Sequence, residues 1–547
     1  MPNDRPKLSS AHSHGAADRG VDVPRRSPFF EGRYGRMFRS LPAAEFQDAD
    51  LKKLAEQMTA EPEDKITPDT KVDDEENFGI AAGYTYLGQF IDHDLTFDPA
   101  SSLQKQNDPD GLVDYRTPRF DLDSVYGRGP DDQPYLYDPD ADGTRIRMAL
   151  GRQLDQGVPG QPCDLPRFNE CALIGDKRND ENVIVSQLHG VFLRFHNNVA
   201  RALGSSDFQT TQQAVRWHYQ WIVLFDFLPK IVGMKMMYDV LPHLRSRKTL
   251  LEDKPQLRLF HWENEPFIPI EFTAAVYRFG HSMVRPVYRL NKKLAPIQGE
   301  IEGLDGRKFL FSPEPNNESL SGFHSVRSDF AIDWTLFFNF DSPNAELPGG
   351  DKLPVVGLGR NRVQPAYKID ASLVNPLGSL REFAQPGEIA NLAHRNLLRG
   401  ARMGLPSGQA VAQFMGAPVV PEEKLKVGKA TAADFESNKS ISAVGPSFEG
   451  NAPLWYYVLA EAAYEWRQAL DKAGDQEKDA VPVRLGSVGG RIVTEVFVGL
   501  MTGDRNSFLS QNPTWKPSSE FGAREGEGVD VFNTFTMADL IKFAQKP

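Results

Sequence analysis

Between Ile184 and Val199 the residues Ile184, Leu188, Val191, Phe192, Phe195 and Val199 recur with the roughly 3.6-residue period that puts them on one face of an α-helix. A stripe of that length has to be buried, and the rest of the chain offers helical partners for it. Tyr84, Leu87, Ile91 and Leu95 share a face in a helix expected over 78–97, and Trp217, Trp221, Phe225 and Phe227 fill one expected over 213–232. Phe272, Val276, Phe279 and Met283 line one side of a helix that Pro286 ends, and Ile389, Leu392, Ala393 and Leu397 form the buried face of another over 388–399. Two more packing helices are expected near 453–472 and 488–502, followed by a loop-like tail after Asp504. The expected fold class is therefore mainly α: one large helical domain with few short strands.

Residues 1–28 are polar and carry too little apolar surface to offset the entropy of ordering, so they are expected to form a disordered N-terminal arm. The aromatic and Arg-rich stretch from Phe29 to Leu41 is expected to lie over the surface as a strap. The domain should then span 29–510, with 511–547 a C-terminal tail packing on it or extending from it, and 416–452 a surface excursion rich in Pro, Gly, Ser and Lys. A formal net charge of −12 argues against a nucleic-acid partner, which normally requires a basic face. No run of about 18 apolar residues is present, so no transmembrane segment is expected. The first residues lack the apolar core of a secretory signal, which leaves a cytoplasmic protein or one exported by a non-classical route. Cys163 and Cys171 could pair with each other but cannot make a disulfide framework.

The chemistry concentrates in GQFIDHD at 88–94. On a helix Gln89 and His93 stand one turn apart on a shared face, with Asp92 at its edge, while Asp94 points elsewhere. That arrangement suggests two adjacent sites, one for acid/base work and one for a cation. Thr117, Asp121 and Asp123 alternate along an extended, Pro-containing loop that could serve a hard cation needing about six to eight oxygens; taken alone, the loop reads first as a solvated acidic turn. Arg178 and Glu181 precede the long helix that Asn179 or Asp180 can cap, and a structural ion pair explains them as simply as catalysis does. His189 and His196 share a face of that helix but lack carboxylate neighbours, so packing or surface roles are expected. Gly280 beside His281 costs up to about 1 kcal/mol within a helix and suggests close packing against the backbone; His281 by itself reads as a satisfied core histidine. Asn396 falls on an apolar face and needs a partner, one economical choice being an imidazole whose other nitrogen binds a metal. Arg399, one turn on, could meet an anion.

GQFIDHD at 88–94, TPRFDLDSVYG at 117–127, GDKRNDEN at 175–182, YRFGHSMVRP at 277–286 and RNLLRGARMGLP at 395–406 together resemble, in order and spacing, the animal-type haem peroxidases of the peroxidase-cyclooxygenase superfamily. Over about residues 30–510 the chain looks like a bacterial member. The resemblance implies that His93 is the distal acid/base histidine, Gln89 the distal amide and Arg178 the arginine that stabilises charge on the leaving peroxide oxygen. It implies that His281 is the proximal iron ligand, Asn396 its hydrogen-bond partner and Arg399 a propionate contact. Asp94, Thr117, the carbonyl of Arg119, Asp121 and Asp123 resemble a calcium site, with Asp123 where the family usually has Ser. Asp92 and Glu181 stand where vertebrate members esterify haem b, so covalent haem is open to this chain.

Two departures matter. Asn182 replaces the Met that one branch links to haem, which excludes that link and argues against efficient chloride oxidation. Arg278 stands where fatty-acid-oxygenating branches carry a radical tyrosine; Tyr277 is one residue earlier, rotated by about 100° on an α-helix. The expected function is a haem-dependent peroxidase that reduces hydrogen peroxide and oxidises small organic or halide-type donors, with a role in the response to oxidative stress. The alternatives are a fatty-acid dioxygenase using Tyr277 and a catalytically silent binding module on the same scaffold.

Overall fold

The computed structural model describes residues 34–62, 65–97, 114, 116–139, 145–155, 157–204, 207–246, 248–262, 266–294, 305–311, 319–341, 358–383, 385, 387–473, 481–527 and 529–547. The expected N-terminal arm lies outside them. The long apolar stripe is the helix Val183–Leu203, capped by Asn182, whose side chain accepts from the backbone N–H of Ile184 and Val185. Asn179 and Asp180, the caps expected from sequence, sit instead in the preceding 3₁₀ turn Lys177–Asp180. The cap requires extended backbone, and Asn182, at φ −148° and ψ 157°, provides it.

This helix is buried along almost its whole length and packs against Gly83–Leu95, Phe208–Ile222 and Met537–Ala544. The Gly83–Leu95 helix starts later than expected because Glu76–Ala81 is a strand paired antiparallel with Pro365–Tyr367. Its first residue must be glycine: a Cβ at Gly83 would lie 2.4 Å from the Phe338 ring and 2.6 Å from the Phe337 carbonyl. The aromatic helix expected over 213–232 is three pieces, Phe208–Ile222, a π turn Val223–Phe227, and Leu228–Val240 with a break at Gly233. The described strands pair only two at a time, and the architecture is the helical fold expected.

Three expectations need correction. The helix over 272–284 is broken at Ala275 into Ile270–Ala274 and a 3₁₀ turn, Val276–His281. The 416–452 stretch is no mere surface excursion, since Leu425, Ala430, Phe435, Ile441 and Phe448 are buried in the main core. The tail after Asp504 is not loop-like: Phe508–Gln511, Val531–Thr534 and Met537–Ala544 are helical, and the last has the Thr536/Asp539 capping box. Asn198 donates to the carbonyl of Phe543 at 2.9 Å, fixing that helix to the long one. At the other end, Tyr34–Gly35 pairs with Ile268–Pro269 and Arg36 donates to the carbonyls of Met403 and Gly404, so residues 34–41 do form a strap. Among the described residues no helix is long and apolar enough to cross a membrane.

Burial also makes two histidines acid-sensitive. His196, between the Tyr126 hydroxyl and the Ile146 carbonyl, and His218, on the Ala214 carbonyl, are each pushed down to about 4 by burial. Below the ordinary value of 6.5 the unfolded chain takes up protons that the folded one refuses until about 4, so stability is full above pH 6.5 and declines toward pH 4. Thermal melts are expected to show that decline over this window; a flat melting temperature from pH 7 to 4 contradicts it.

Candidate active site

A cavity of about 330 Å³ opens between the Gly83–Leu95 helix, the Val276–His281 turn and the helix Leu392–Arg402. Gln89, Asp92 and His93 reach it from the first, His281 from the second, Asn396 and Arg399 from the third, and Glu181 from the turn before the long helix. Seven of the residues singled out in the sequence therefore share one chamber, although they are scattered from position 89 to 399. Its remaining wall is largely apolar, including Phe227, Phe279, Leu310, Leu377 and Leu380.

His93 is buried, and its Nδ1 lies 2.8 Å from Asn179 Oδ1. An amide oxygen accepts only, so this contact puts the proton on Nδ1 and leaves the Nε2 lone pair available. Burial, reinforced by the charge of Arg178, lowers His93 to about 4, so at neutral pH the ring is an uncharged base. Gln89 donates to Glu181 through an unusually short contact and accepts from Asn182 Nδ2 at 3.2 Å. Asp92 accepts from the Thr96 hydroxyl at 3.2 Å.

Arg178 does not line the cavity. Its guanidinium bonds Asp176, at 2.8 Å from Nη2, and donates to the carbonyls of His93 and Thr96, with Phe97 beneath it at 4.7 Å. It thus satisfies carbonyls at the C-terminal end of the helix that carries His93, where a cation also opposes the helix dipole. Although burial works the other way, Arg178 and Arg116 hold Asp176 below the usual carboxylate range.

On the other side, Asn396 Nδ2 lies 2.8 Å from His281 Nδ1, and Arg278 Nη1 donates to Asn396 Oδ1 at 3.2 Å. The pairing of Asn396 with an imidazole is the one its place on an apolar face calls for. As placed, the amide offers its NH2 to the ring, so Nδ1 accepts and the proton sits on Nε2; an Nε2 ligand requires the amide turned by half a revolution, which presents Oδ1 to the ring and gives up the Arg278 contact. Burial and the nearby Arg278 push His281 down to about 3, keeping it neutral. Gly280 does not meet close-packed backbone as expected: a Cβ there would find nothing within 4 Å, and the residue borders the cavity. Open space beside a neutral imidazole, apolar walls and the arginines 278, 395 and 399 fit a flat macrocycle with anionic substituents. Tyr277 also borders the cavity, its hydroxyl donating to the Gly88 carbonyl at 3.2 Å. In the 3₁₀ turn the rotation per residue is not that of the α-helix expected from sequence.

Below the first helix, Asp94, Asp121 and Asp123 bring carboxylate oxygens within 4.8 Å of one another. Burial and the charges of Asp121 and Asp123 push Asp94 well above the carboxylate range, and burial raises Asp123 to about 7. The Thr117 hydroxyl donates to Asp121 at 2.8 Å, and the Arg119 N–H bonds back to the Thr117 carbonyl at 2.8 Å, closing the turn. Arg116, 3.3 Å from Asp123, is the positive partner at this cluster, and it is shared with Asp176. Three crowded carboxylates fit a cation that would let all of them ionise.

Sequence reading passed over Arg395 and gave three others different parts: Asn179 a helix cap, Arg278 the place of a tyrosine, and His189 a packing or surface role. Asn179 was legible as a polar residue beside Arg178, but only folding sets its side chain between two imidazoles. Arg278 signals itself only through the 3₁₀ geometry, which places it one turn before His281.

The helical fold is that of the haem peroxidases. The family model for animal haem peroxidases matches residues 44–331, and the chain belongs to that family. Human thyroid peroxidase is 26% identical over 318 residues, 56% of this chain and 28% of that protein. Lactoperoxidase of Mesocricetus auratus is 27% identical over 245 residues, covering 42% of this chain and 31% of that one. The chain thus spans under a third of the length of these curated relatives. Among solved structures, peroxidase A from Dictyostelium discoideum superposes with a TM-score of 0.52 at 17% identity, covering 95% of this chain and 93% of that one. The fatty acid alpha-dioxygenase of Arabidopsis thaliana gives a TM-score of 0.52 at 14% identity, covering 92% and 76%.

Proposed function

We propose that the protein is a haem-dependent peroxidase that reduces hydrogen peroxide at the expense of small organic or halide-type donors. The observation that carries the reading is the pair of neutral imidazoles, His93 and His281, that share one cavity while each is engaged at Nδ1 by an asparagine. His281 would hold the haem iron, with Asn396 setting its tautomer, and Arg399 would meet a propionate. Haem, when bound, would supply the electrons that reduce peroxide and regain them from the donor. His93 takes the proton from one peroxide oxygen and returns it to the other, which leaves as water, so no net proton is consumed in the cleavage. Gln89 holds substrate or water beside it. Arg178 acts on this step through the helix end it ties down and through its charge at His93. Asp92 and Glu181 are the carboxylates available for ester links to haem.

The test is an absorbance spectrum of purified protein before and after peroxide. A histidine-ligated haem band that changes with peroxide and returns when a phenolic donor is added is expected; a protein with no haem band after haem supplementation defeats the reading. One observation favours a second reading: Tyr277 borders the cavity despite its offset from the tyrosine position of lipid-oxygenating relatives. Oxygenated linoleate formed without added peroxide would establish that dioxygenase reading.

The carboxylate cluster is read as a calcium site, with Asp94, Thr117, the Arg119 carbonyl, Asp121 and Asp123 as ligands. Because Asp94 follows His93 directly, the ion would fix the distal helix. A calcium chelator is expected to lower the melting temperature by about 2–5 °C, with calcium restoring it. An Asp121→Asn/Asp123→Asn double variant should be indifferent to chelator; equal sensitivity in that variant refutes the site.

A further inference from the structure

Asn179 does something neither its neighbours nor its place in the turn requires. Its Oδ1 lies 2.8 Å from His93 Nδ1, and its Nδ2 lies 3.0 Å from Nδ1 of His189 on the long helix. Asn179 and His189 are 0% exposed and His93 is 4% exposed, so solvent cannot substitute for any of these contacts. Each element of the trio comes from a different part of the fold: the Gly83–Leu95 helix, the 3₁₀ turn Lys177–Asp180 and the helix Val183–Leu203.

An amide has two unlike ends. If its oxygen faces His93, its NH2 faces His189, and the proton positions of both rings follow. His189 must then present a bare Nδ1 and carry its proton on Nε2, while His93 must carry its proton on Nδ1. The His189 ring cannot easily swing away, because Phe90 stands edge-on to it at 6.2 Å between centroids. Its Nε2 is buried with no hydrogen-bond partner, so the Asn179 contact is the only one the described structure gives this imidazole. The turn that carries Asn179 is itself held: Asp176 accepts from the Arg178 backbone N–H, and the N–H of Phe323 donates to the Asp180 carbonyl at 2.7 Å.

We propose that Asn179, braced by His189, is a positioning residue that locks His93 in the tautomer with its Nε2 lone pair turned to the reacting oxygens. The inference rests on His93 being the acid/base group of the proposed peroxidase. Without the lock a neutral imidazole distributes its proton over both nitrogens, and in the wrong tautomer it offers an N–H where the reaction needs a base. A wrong tautomer alone is worth up to about 10⁴ in rate where a catalytic histidine loses its orienting partner. Losing a preference, rather than imposing the wrong form, should cost less.

The experiment uses full-length holoprotein with ¹⁵N-labelled histidine, held as its diamagnetic carbon-monoxide form, and reads each ring's tautomer from two-bond ¹H–¹⁵N correlations, with His93→Gln assigning the signal. Wild-type protein is expected to show His93 protonated on Nδ1. Asn179→Ala should show His93 shifted to Nε2–H or to a mixture, with the haem band unchanged and the reaction with peroxide slowed about 10- to 100-fold. Asn179→Asp keeps the acceptor and should restore both the Nδ1–H tautomer and most of the rate. His93 found as Nε2–H in the wild type overturns the proposal, as does an Asn179→Ala protein that keeps Nδ1–H. The tautomer readings do not depend on the assignment of His93 as the acid/base group, which fails instead if His93→Ala reacts with peroxide as fast as the wild type.

Discussion

His93→Ala is expected to retain haem yet react with hydrogen peroxide about 10²–10⁴ times more slowly, the usual worth of a positioned acid/base group. The size of the effect follows from the position of the ring. Burial and Arg178 hold it uncharged down to about pH 4, and the Asn179 contact commits its Nδ1, so at neutral pH nearly every molecule has a base ready. The residues around it cannot replace it. Gln89 does not ionise, and Asp92 lies one residue away on the helix with its own bond to Thr96. Stopped-flow absorbance at increasing peroxide gives the second-order constant directly, and a variant as fast as the wild type would remove His93 from the mechanism. Arg178→Lys should act more mildly and differently. A lysine keeps the charge but not the fork that bonds Asp176 and two carbonyls at once, so its loss should appear as a destabilised helix end as well as a slower reaction.

His281→Ala should abolish the absorbance of histidine-ligated haem. This effect is the larger of the two in kind, since it removes the ligand rather than a proton carrier. The assignment rests on a neutral imidazole at the cavity wall, one nitrogen held by Asn396 and open space beside Gly280. Asn396→Ala tests the same arrangement from behind the ligand. Without the amide the ring loses its orienting partner; if the amide turns its oxygen to Nδ1–H in the holoprotein, its removal leaves a less anionic ligand and the iron should become easier to reduce. An unchanged haem spectrum in His281→Ala would defeat the ligand assignment whatever Asn396 does.

Much of this was legible in the chain. The stripe from Ile184 to Val199 announced its helix, and the helices at Leu454–Ala473 and Ser487–Gly503 begin and end within a residue or two of the packing helices expected near 453–472 and 488–502. The polar residue on the apolar face at 396 pointed to a buried partner, and an imidazole is there. Where sequence reading failed, a local pattern had been overridden by packing. The segment over 272–284 has helical periodicity but breaks at Ala275, whose backbone lies at φ −135° and ψ −75°, and the tail after Asp504 is helical because it docks on the long helix. Gly280 was read as a sign of crowding and instead borders open space.

The sequence by itself determined the helical class, the family and the identity of the groups on offer, because periodicity and motif order are properties of neighbouring residues along the chain. Only the tertiary structure decided which groups meet. His93 reaches Asn179 across 86 positions and His281 reaches Asn396 across 115, while Arg178 turns from the cavity to the end of the helix it supports. A hydrogen bond depends on distances of about 3 Å between side chains on separate elements. No window of sequence fixes those distances; the packing of the buried helix faces does.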